Sequence, residues 1–163
     1  MNKLVKLVVA AGMLTIPVAF ARPANPVSVV QAASKKTVKV DAITYTIKKK
    51  EIRKSSKKGK KILVLHVNVK NNTGHKVSFD KFSNYTGVNA YQKVNGNWKQ
   101  LTTAITNSPS LIKKMGNLQH DLKPHKVIKD GVIMWTLENK SKVKVEFQTS
   151  FNHIVARRYY SVK

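Results

Sequence analysis

The chain has 163 residues, no cysteine, and 31 Lys+Arg against 7 Asp+Glu, a formal net charge of +24. That length is one domain's worth, and the missing cysteine excludes disulfides, thiolate metal sites, thiol catalysis and a lipidated cysteine anchor. A charge this large speaks of partners rather than fold, and the partner it favours is a polyanion: nucleic acid, anionic lipid or a phosphate-bearing envelope polymer.

The chain opens on a targeting segment. Lys3 and Lys6 form a short positive region, and Leu7–Phe20 is apolar but interrupted by Pro17. About 20 residues are needed to span a bilayer, so a secretory signal peptide is expected over 1–32 rather than a membrane anchor. Ala19-Phe20-Ala21 and Val30-Gln31-Ala32 both offer small-residue cleavage sites, and cleavage after Ala32 is preferred because lysine-rich character begins at Ser34. Losing Lys3, Lys6 and Arg22 takes three charges from +24 and leaves +21 on a single basic domain, 33–163. A secreted domain without disulfides must rest on its packed core, which suggests a Gram-positive exporter. The ending YYSVK carries no hydrophobic tail or sorting signal, so no covalent attachment to the surface is expected.

Thr37–Ile47 reads as the first strand, with Val38 and Val40 on one parity and Ile43, Tyr45 and Ile47 on the other. That phase change predicts a bulge near Asp41-Ala42 or a strand that switches sheets. Lys48–Lys61 then holds nine positive charges and one Glu. It reads as a charged β-hairpin tip whose polyanion-binding candidates are Lys48, Lys49, Lys50, Arg53, Lys54, Lys57, Lys58, Lys60 and Lys61. The competing reading is a solvated run that keeps the protein soluble and blunts a sheet edge.

The chain is organised around Lys61–Asn72. Leu63, Leu65, Val67 and Val69 alternate with Ile62, Val64, His66 and Asn68, the pattern of a strand with one face in a core and the other partly wet. Asn71-Asn72-Thr73-Gly74 ends it in a turn. Val77 and Phe79 suggest a short strand, with Phe82 and Tyr85 close behind. Val88–Val94 and Trp98–Thr102 flank Asn95-Gly96-Asn97, the clearest hairpin signal in the chain. Trp98 is expected to pack in the core or across the sheet rather than to form a ligand platform.

Leu111, Ile112, Met115 and Leu118 have helical spacing, so a short helical turn crossing between sheets is expected, limited by Gly116. Leu122-Lys123-Pro124 turns into a long strand, Val127–Leu137, whose core half is the later one because Lys129 and Gly131 interrupt the apolar parity. Val143, Val145 and Phe147 alternate with Lys142, Lys144 and Glu146 outside, and a last strand runs His153–Val162. Seven or eight short strands without a long helix argue an all-β antiparallel sandwich.

Three features together resemble a known family: Lys61–Asn72 with Val77-Ser78-Phe79, the Asn-Gly hairpin, and Leu122-Lys123-Pro124 leading into Val132–Leu137. It is the group of secreted immunoglobulin-like, telokin-like domains of Gram-positive bacteria, most without assigned function. The resemblance covers about residues 37–149. It implies an exported immunoglobulin-like β-sandwich and carries over no catalytic residues. Such domains usually show Gly after the Leu-x-Pro turn, where this chain has His125.

The seven acids, Asp41, Glu51, Asp80, Asp121, Asp130, Glu138 and Glu146, are scattered and read as surface charge. Paired-carboxylate hydrolysis needs two of them about 5–9 Å apart. No Gly-x-Ser-x-Gly elbow or phosphate-cradling glycine loop is present. His66, His75, His120, His125 and His153 show no metal-ligand spacing and read as exposed or hydrogen-bonded. No enzyme activity and no cofactor or metal are therefore expected. The first reading is a secreted, non-catalytic module held ionically to anionic cell-envelope polymers such as teichoic acids. The second is a secreted protein-binding or inhibitory domain whose charge serves only solubility. Specific nucleic-acid binding is not expected, because no aromatic residue is interleaved in the basic run.

Overall fold

The computed structural model describes residues 36–78 and 87–163. The expected leader at 1–32 and the apolar positions Phe79, Phe82 and Tyr85 lie outside them. Eight strands form two four-stranded antiparallel sheets that pack face to face as a β-sandwich. They are β1 (Thr37–Val40), β2 (Ile43–Lys54), β3 (Lys61–Asn71), β4 (Gly87–Val94), β5 (Asn97–Gln100), β6 (Val127–Thr136), β7 (Val143–Gln148) and β8 (Ile154–Tyr160). The first sheet has the order β1-β2-β3-β6 and the second β5-β4-β7-β8.

The phase change near Asp41 is neither a bulge nor a sheet switch. Val40 pairs with Ile43 and Val38 with Tyr45, so Asp41-Ala42 is a two-residue hairpin turn. Such a turn sets the residues on either side of it directly opposite each other, which reverses the parity of inward residues while keeping them on one face. Asp41 takes a φ of 48°, a conformation that Asp tolerates better than most residues.

β3 lies between β2 and β6, and its two faces depart from the expected half-wet pattern. Leu63, Leu65, Val67 and Val69 meet Ala90, Val143, Val145 and Phe147 of the second sheet in the main core. Tyr45 and Phe147 meet edge to face across it, centroids 5.5 Å apart. On the opposite face Ile62 and Val64 are also fully buried. They sit beneath Ala104, Leu111 and Met115, with Val132 and Met134 alongside. The cover comes from helix α1 (Pro109–Gly116), which lies on the outside of the first sheet rather than crossing between the sheets. Leu111 and Met115 point down and Ile112 points to solvent.

The segment around α1 also protects the edge strand β6. Before the helix, Thr102–Ala104 bonds to it, Ala104 N–H donating to Met134 O and Thr136 N–H to Thr102 O, both at 3.0 Å. After the helix, the 3₁₀ turn Asn117–Gln119 delivers Leu118 into the main core over Gly131. An unpaired strand edge invites pairing with other chains, and this wrap closes part of one.

A bulge near Lys129-Asp130 separates the two halves of β6: Val67 pairs with Gly131 and Val69 with Ile128. It leaves Val127 exposed while Ile133, Trp135 and Leu137 join the core, so the later half is the core half as expected. The Asn95-Gly96 hairpin forms as read, with φ of 51° and 84°, the doubly positive pattern of a primed turn.

Asn71 explains why the strand ends in Asn-Asn beside the Leu-Lys-Pro turn. Its fully buried amide donates to the carbonyls of His75 (2.6 Å) and Leu122 (3.0 Å), and its Oδ1 accepts from the Thr73 N–H and hydroxyl. One side chain thus pins two turns together, and Val77 bridges to Leu122 next to them. His125 takes a φ of 55°, the left-handed conformation for which Gly has no steric penalty.

Candidate functional site

The basic run divides into two structural parts. β2 continues through Lys54, and the tip proper is Ser55–Lys60. Ser55 N–H donates to Lys60 O (2.9 Å), the Lys57 N–H to Ser55 Oγ (3.1 Å), and Gly59 supplies a φ of 73°. Ser56 Oγ reaches Ile105 O at 3.1 Å and ties the tip to the segment ahead of α1. Lys54, Lys57, Lys58, Lys60 and Lys61 line an open concavity of about 410 Å³ around it. An adjoining hollow of about 200 Å³ shares Gly59, Lys60 and Lys61, and its far wall is Leu137–Lys140 with Val162.

The carboxylate that borders these hollows among the described residues, Glu138, is already claimed. Glu138 accepts from Lys99 (2.8 Å) and Lys60 (3.0 Å). Those two hydrogen bonds, Lys99's first, hold its pKa down to about 2. Lys54, Lys57, Lys58 and Lys61 pair with no acid among the described residues. Lysines crowded within a Debye length of about 8 Å raise the local potential together, which favours an anion that can bridge them.

The other candidates are drawn elsewhere. Lys48 is the extra residue of a bulge: Ile47 pairs with Val67 and Lys49 with His66. The bulge reverses the facing of the strand beyond it. Lys49, Glu51 and Arg53 therefore lie on the outer face, where both cations bind Glu51, Arg53 Nε at 2.5 Å. Lys49's hydrogen bond is the main cause of Glu51's pKa falling to about 2. Lys50 points the other way and donates to Ser161 O (2.6 Å) and Oγ (2.9 Å). The run of nine positive charges thus divides into a structural half, Lys48–Arg53, and a half whose lysines line the open concavity, Lys54–Lys61.

Two expectations need correction. The glutamates are more than surface charge: Glu146 is buried, its Oε1 accepting from Arg157 (2.9 Å) and lying 3.0 Å from Lys144 Nζ. Burial alone would raise its pKa, but Arg157 and Lys144 outweigh it and the net shift is downward. His66 is neither exposed nor hydrogen-bonded at Nε2, which lies buried 3.4 Å from Glu51. The other histidines are exposed as expected. Among the described residues, no three His, Asp or Glu come together as metal ligands.

Of the two packings expected for Trp98 the core one is not taken: it is 42 % exposed on the outer face of β5. It does pack across the sheet, against Lys93 and with Lys144 Nζ 4.5 Å from its ring centre. The same ammonium lies 4.7 Å from the Tyr91 ring. This cluster went unread because Lys144 and Tyr91 meet only through the β4–β7 pairing.

Residues 29–149 match the family model described as Domain of unknown function (DUF5067). The chain belongs to this family. No curated protein matches the chain. Among solved structures, this DUF5067 chain is similar to one described as a putative lipoprotein from Staphylococcus aureus subsp. aureus NCTC 8325. The TM-score is 0.65 at 16% identity, covering 79% of this chain and 90% of that one. It is also similar to a protein from Enterococcus faecalis, with TM-score 0.61 and 14% identity over 80% of this chain and 92% of that one. At these identities the likeness is one of fold. The resemblance noted from the sequence therefore holds at the coarser level, a β-sandwich with structural relatives in Gram-positive bacteria, and the DUF5067 assignment stands in place of the telokin-like one.

Proposed function

We propose that this DUF5067 protein is a secreted, non-catalytic module that associates ionically with anionic cell-envelope polymers such as teichoic acids. The observation that carries it is the open concavity at the β2–β3 tip, lined by Lys54, Lys57, Lys58, Lys60 and Lys61, most of them without an acidic partner among the described residues. A flexible phosphate polymer suits flexible point charges: each lysine meets a phosphate without a fixed fork geometry, and displaced counterions drive the association. Location outside the cell is suggested by the leader-like segment and by the description of the Staphylococcus aureus fold relative as a putative lipoprotein. The chain has no cysteine to carry such a lipid, so charge supplies the attachment in this reading.

The test is co-sedimentation with Gram-positive cell walls, with and without prior removal of teichoic acid, across a salt series. Binding should require the polymer and collapse as salt rises, and the variant K54Q/K57Q/K58Q/K61Q should lose most of it. Salt-insensitive binding, or equal binding by that variant, would return the charge to a solubilising role and favour a protein partner.

A further inference from the structure

The outer faces of the two sheets are treated differently. α1 covers that of the first sheet, whereas no described element covers that of the second. Along this second face the register sets Gln100, Tyr91, Lys144 and Tyr159 in one row and Asn89, Glu146 and Arg157 in the next. Trp98 and Lys93 form a third pair beside them.

The arrangement is built in depth. Lys144 lies under both aromatic rings and its side chain is only 14% exposed, whereas Trp98 is 42% exposed. The ammonium therefore meets the rings from the protein side, and the indole, with Lys93 Nζ also 5.7 Å from its centre, keeps part of its surface open to solvent. Glu146 holds Lys144 from below and is itself held by Arg157. Cation–π contact and the buried ion pair together fix the rings, so a flat ligand would meet a platform already ordered. Beside it, Gln100 donates to Asn89 (3.0 Å) and Asn89 to Gln148 (3.3 Å), a line of side-chain amides with donors and acceptors to spare.

We propose that this face is a sugar-ring subsite: the Tyr91–Trp98 platform takes a pyranose unit of an acidic glycan whose charges lie on the neighbouring lysines. A pyranose presents a flat array of weakly positive C–H bonds on one side, which settles on the negative face of an aromatic ring. Its rim of hydroxyls matches amide groups. The acidic character follows from charge: Lys93 stands exposed beside Trp98, Lys142 stands exposed just ahead of β7, and Lys144 and Arg157 exceed the single Glu146 between them. Lys99, next to Trp98 in the edge strand β5, points to the other side of that strand, where it shares Glu138 with Lys60, so β5 separates the platform from the hairpin tip by one strand's thickness. The subsite rests on the polyanion reading and narrows it, from any phosphate or carboxylate chain to one built on sugar rings.

Titration of the protein with polygalacturonate, an acidic pyranose polymer, and with inorganic polyphosphate, which has no sugar, separates the two claims. The wild type should bind both, and polygalacturonate should shift Trp98 emission to the blue while the buried Trp135 stays silent. Y91A/W98A should weaken polygalacturonate by about tenfold, the loss of one good stacking contact, and leave polyphosphate unchanged. W98F, which keeps a ring, should fall between. K54Q/K57Q/K58Q/K61Q should weaken both, and its failure to do so would sink the polyanion reading itself. Equal polygalacturonate affinity for wild type and Y91A/W98A would overturn the subsite. So would a parallel loss of both polymers in that variant, or tighter, Trp98-dependent binding of oligo-dT, which would make the rings a base-stacking surface.

Discussion

His66, Glu51, Glu138 and Glu146 give the protein a two-step response to acid. Burial is the main cause of the lowered His66 pKa; Glu51 pulls it back up, and Lys49 and Lys114 add to the lowering. A histidine whose folded pKa lies below its ordinary 6.5 takes up protons more readily when unfolded, so stability falls as pH drops below about 6.5. Glu51 and Glu138, at about 2 when folded against 4.5, contribute stability that is complete above about pH 4.5 and lost toward about pH 2. Thermal melts should therefore show one decline beginning below about pH 6.5 and a steeper one below about pH 4.5. H66Q should remove the first and leave the second. A decline below about pH 6.5 that persists in H66Q would refute this account of His66. Gly131 is a second residue whose type the structure explains. A methyl group there would lie 2.4 Å from Leu118 Cδ2, inside the core. Gly131→Ala should destabilise by about 1–3 kcal/mol, the usual cost of overpacking, measured by urea unfolding; a neutral result would mean that Leu118 can withdraw freely.

At the scale of elements, stability depends on how turns are tied to strands. Asn71 joins the end of β3 to the turn before β6 through a buried amide that satisfies groups on both. Asn71→Ala removes these bonds and leaves buried carbonyls without donors, so a loss of about 2–4 kcal/mol is expected. Hydrogen exchange should show it first at Thr73, whose N–H loses its acceptor, and at Val77 and Leu122, which bond to each other beside it. Exchange there as slow as in the wild type would show that the turns hold without Asn71. Gln92 plays the matching part at the other end, donating to Ser141 O (2.8 Å) and accepting from Glu138 N–H (2.8 Å). It thereby positions the Glu138 turn that forms one wall of the lysine-lined end.

For the whole molecule, the charge of +24 opposes compaction. Raising salt from about 10 mM to about 150 mM shortens the Debye length from about 30 Å to about 8 Å. Screening weakens the exposed pairs Lys60–Glu138 and Lys76–Asp121, but such pairs contribute at most about 1 kcal/mol each, and repulsion among 31 cations is relieved at the same time. The melting temperature should rise with salt over this range. A fall would mean that the glutamate-centred clusters outweigh the repulsion, and the tip's excess charge would then be less than its composition implies.

The chain's own pattern determined a good deal. Alternation placed β3, β4, β7 and the later half of β6; Asn95-Gly96 placed the central hairpin; Lys48–Lys61 showed a basic hairpin end, without showing that its first part is strand. These are local signals, written in period-2 burial and in turn residues that tolerate positive φ. Parity even held the clue to Trp98, since a two-residue turn sets it opposite Lys93 on the solvent side. Tertiary structure decided what depends on contacts between distant segments. Only packing could show that Ile62 and Val64 lie under α1. Only packing shows which lysines of the run meet a glutamate, or that Lys144 comes to rest beneath two rings. A charge run looks uniform in sequence because each lysine is the same point charge; its role follows from the acid, ring or open water that the fold brings beside it.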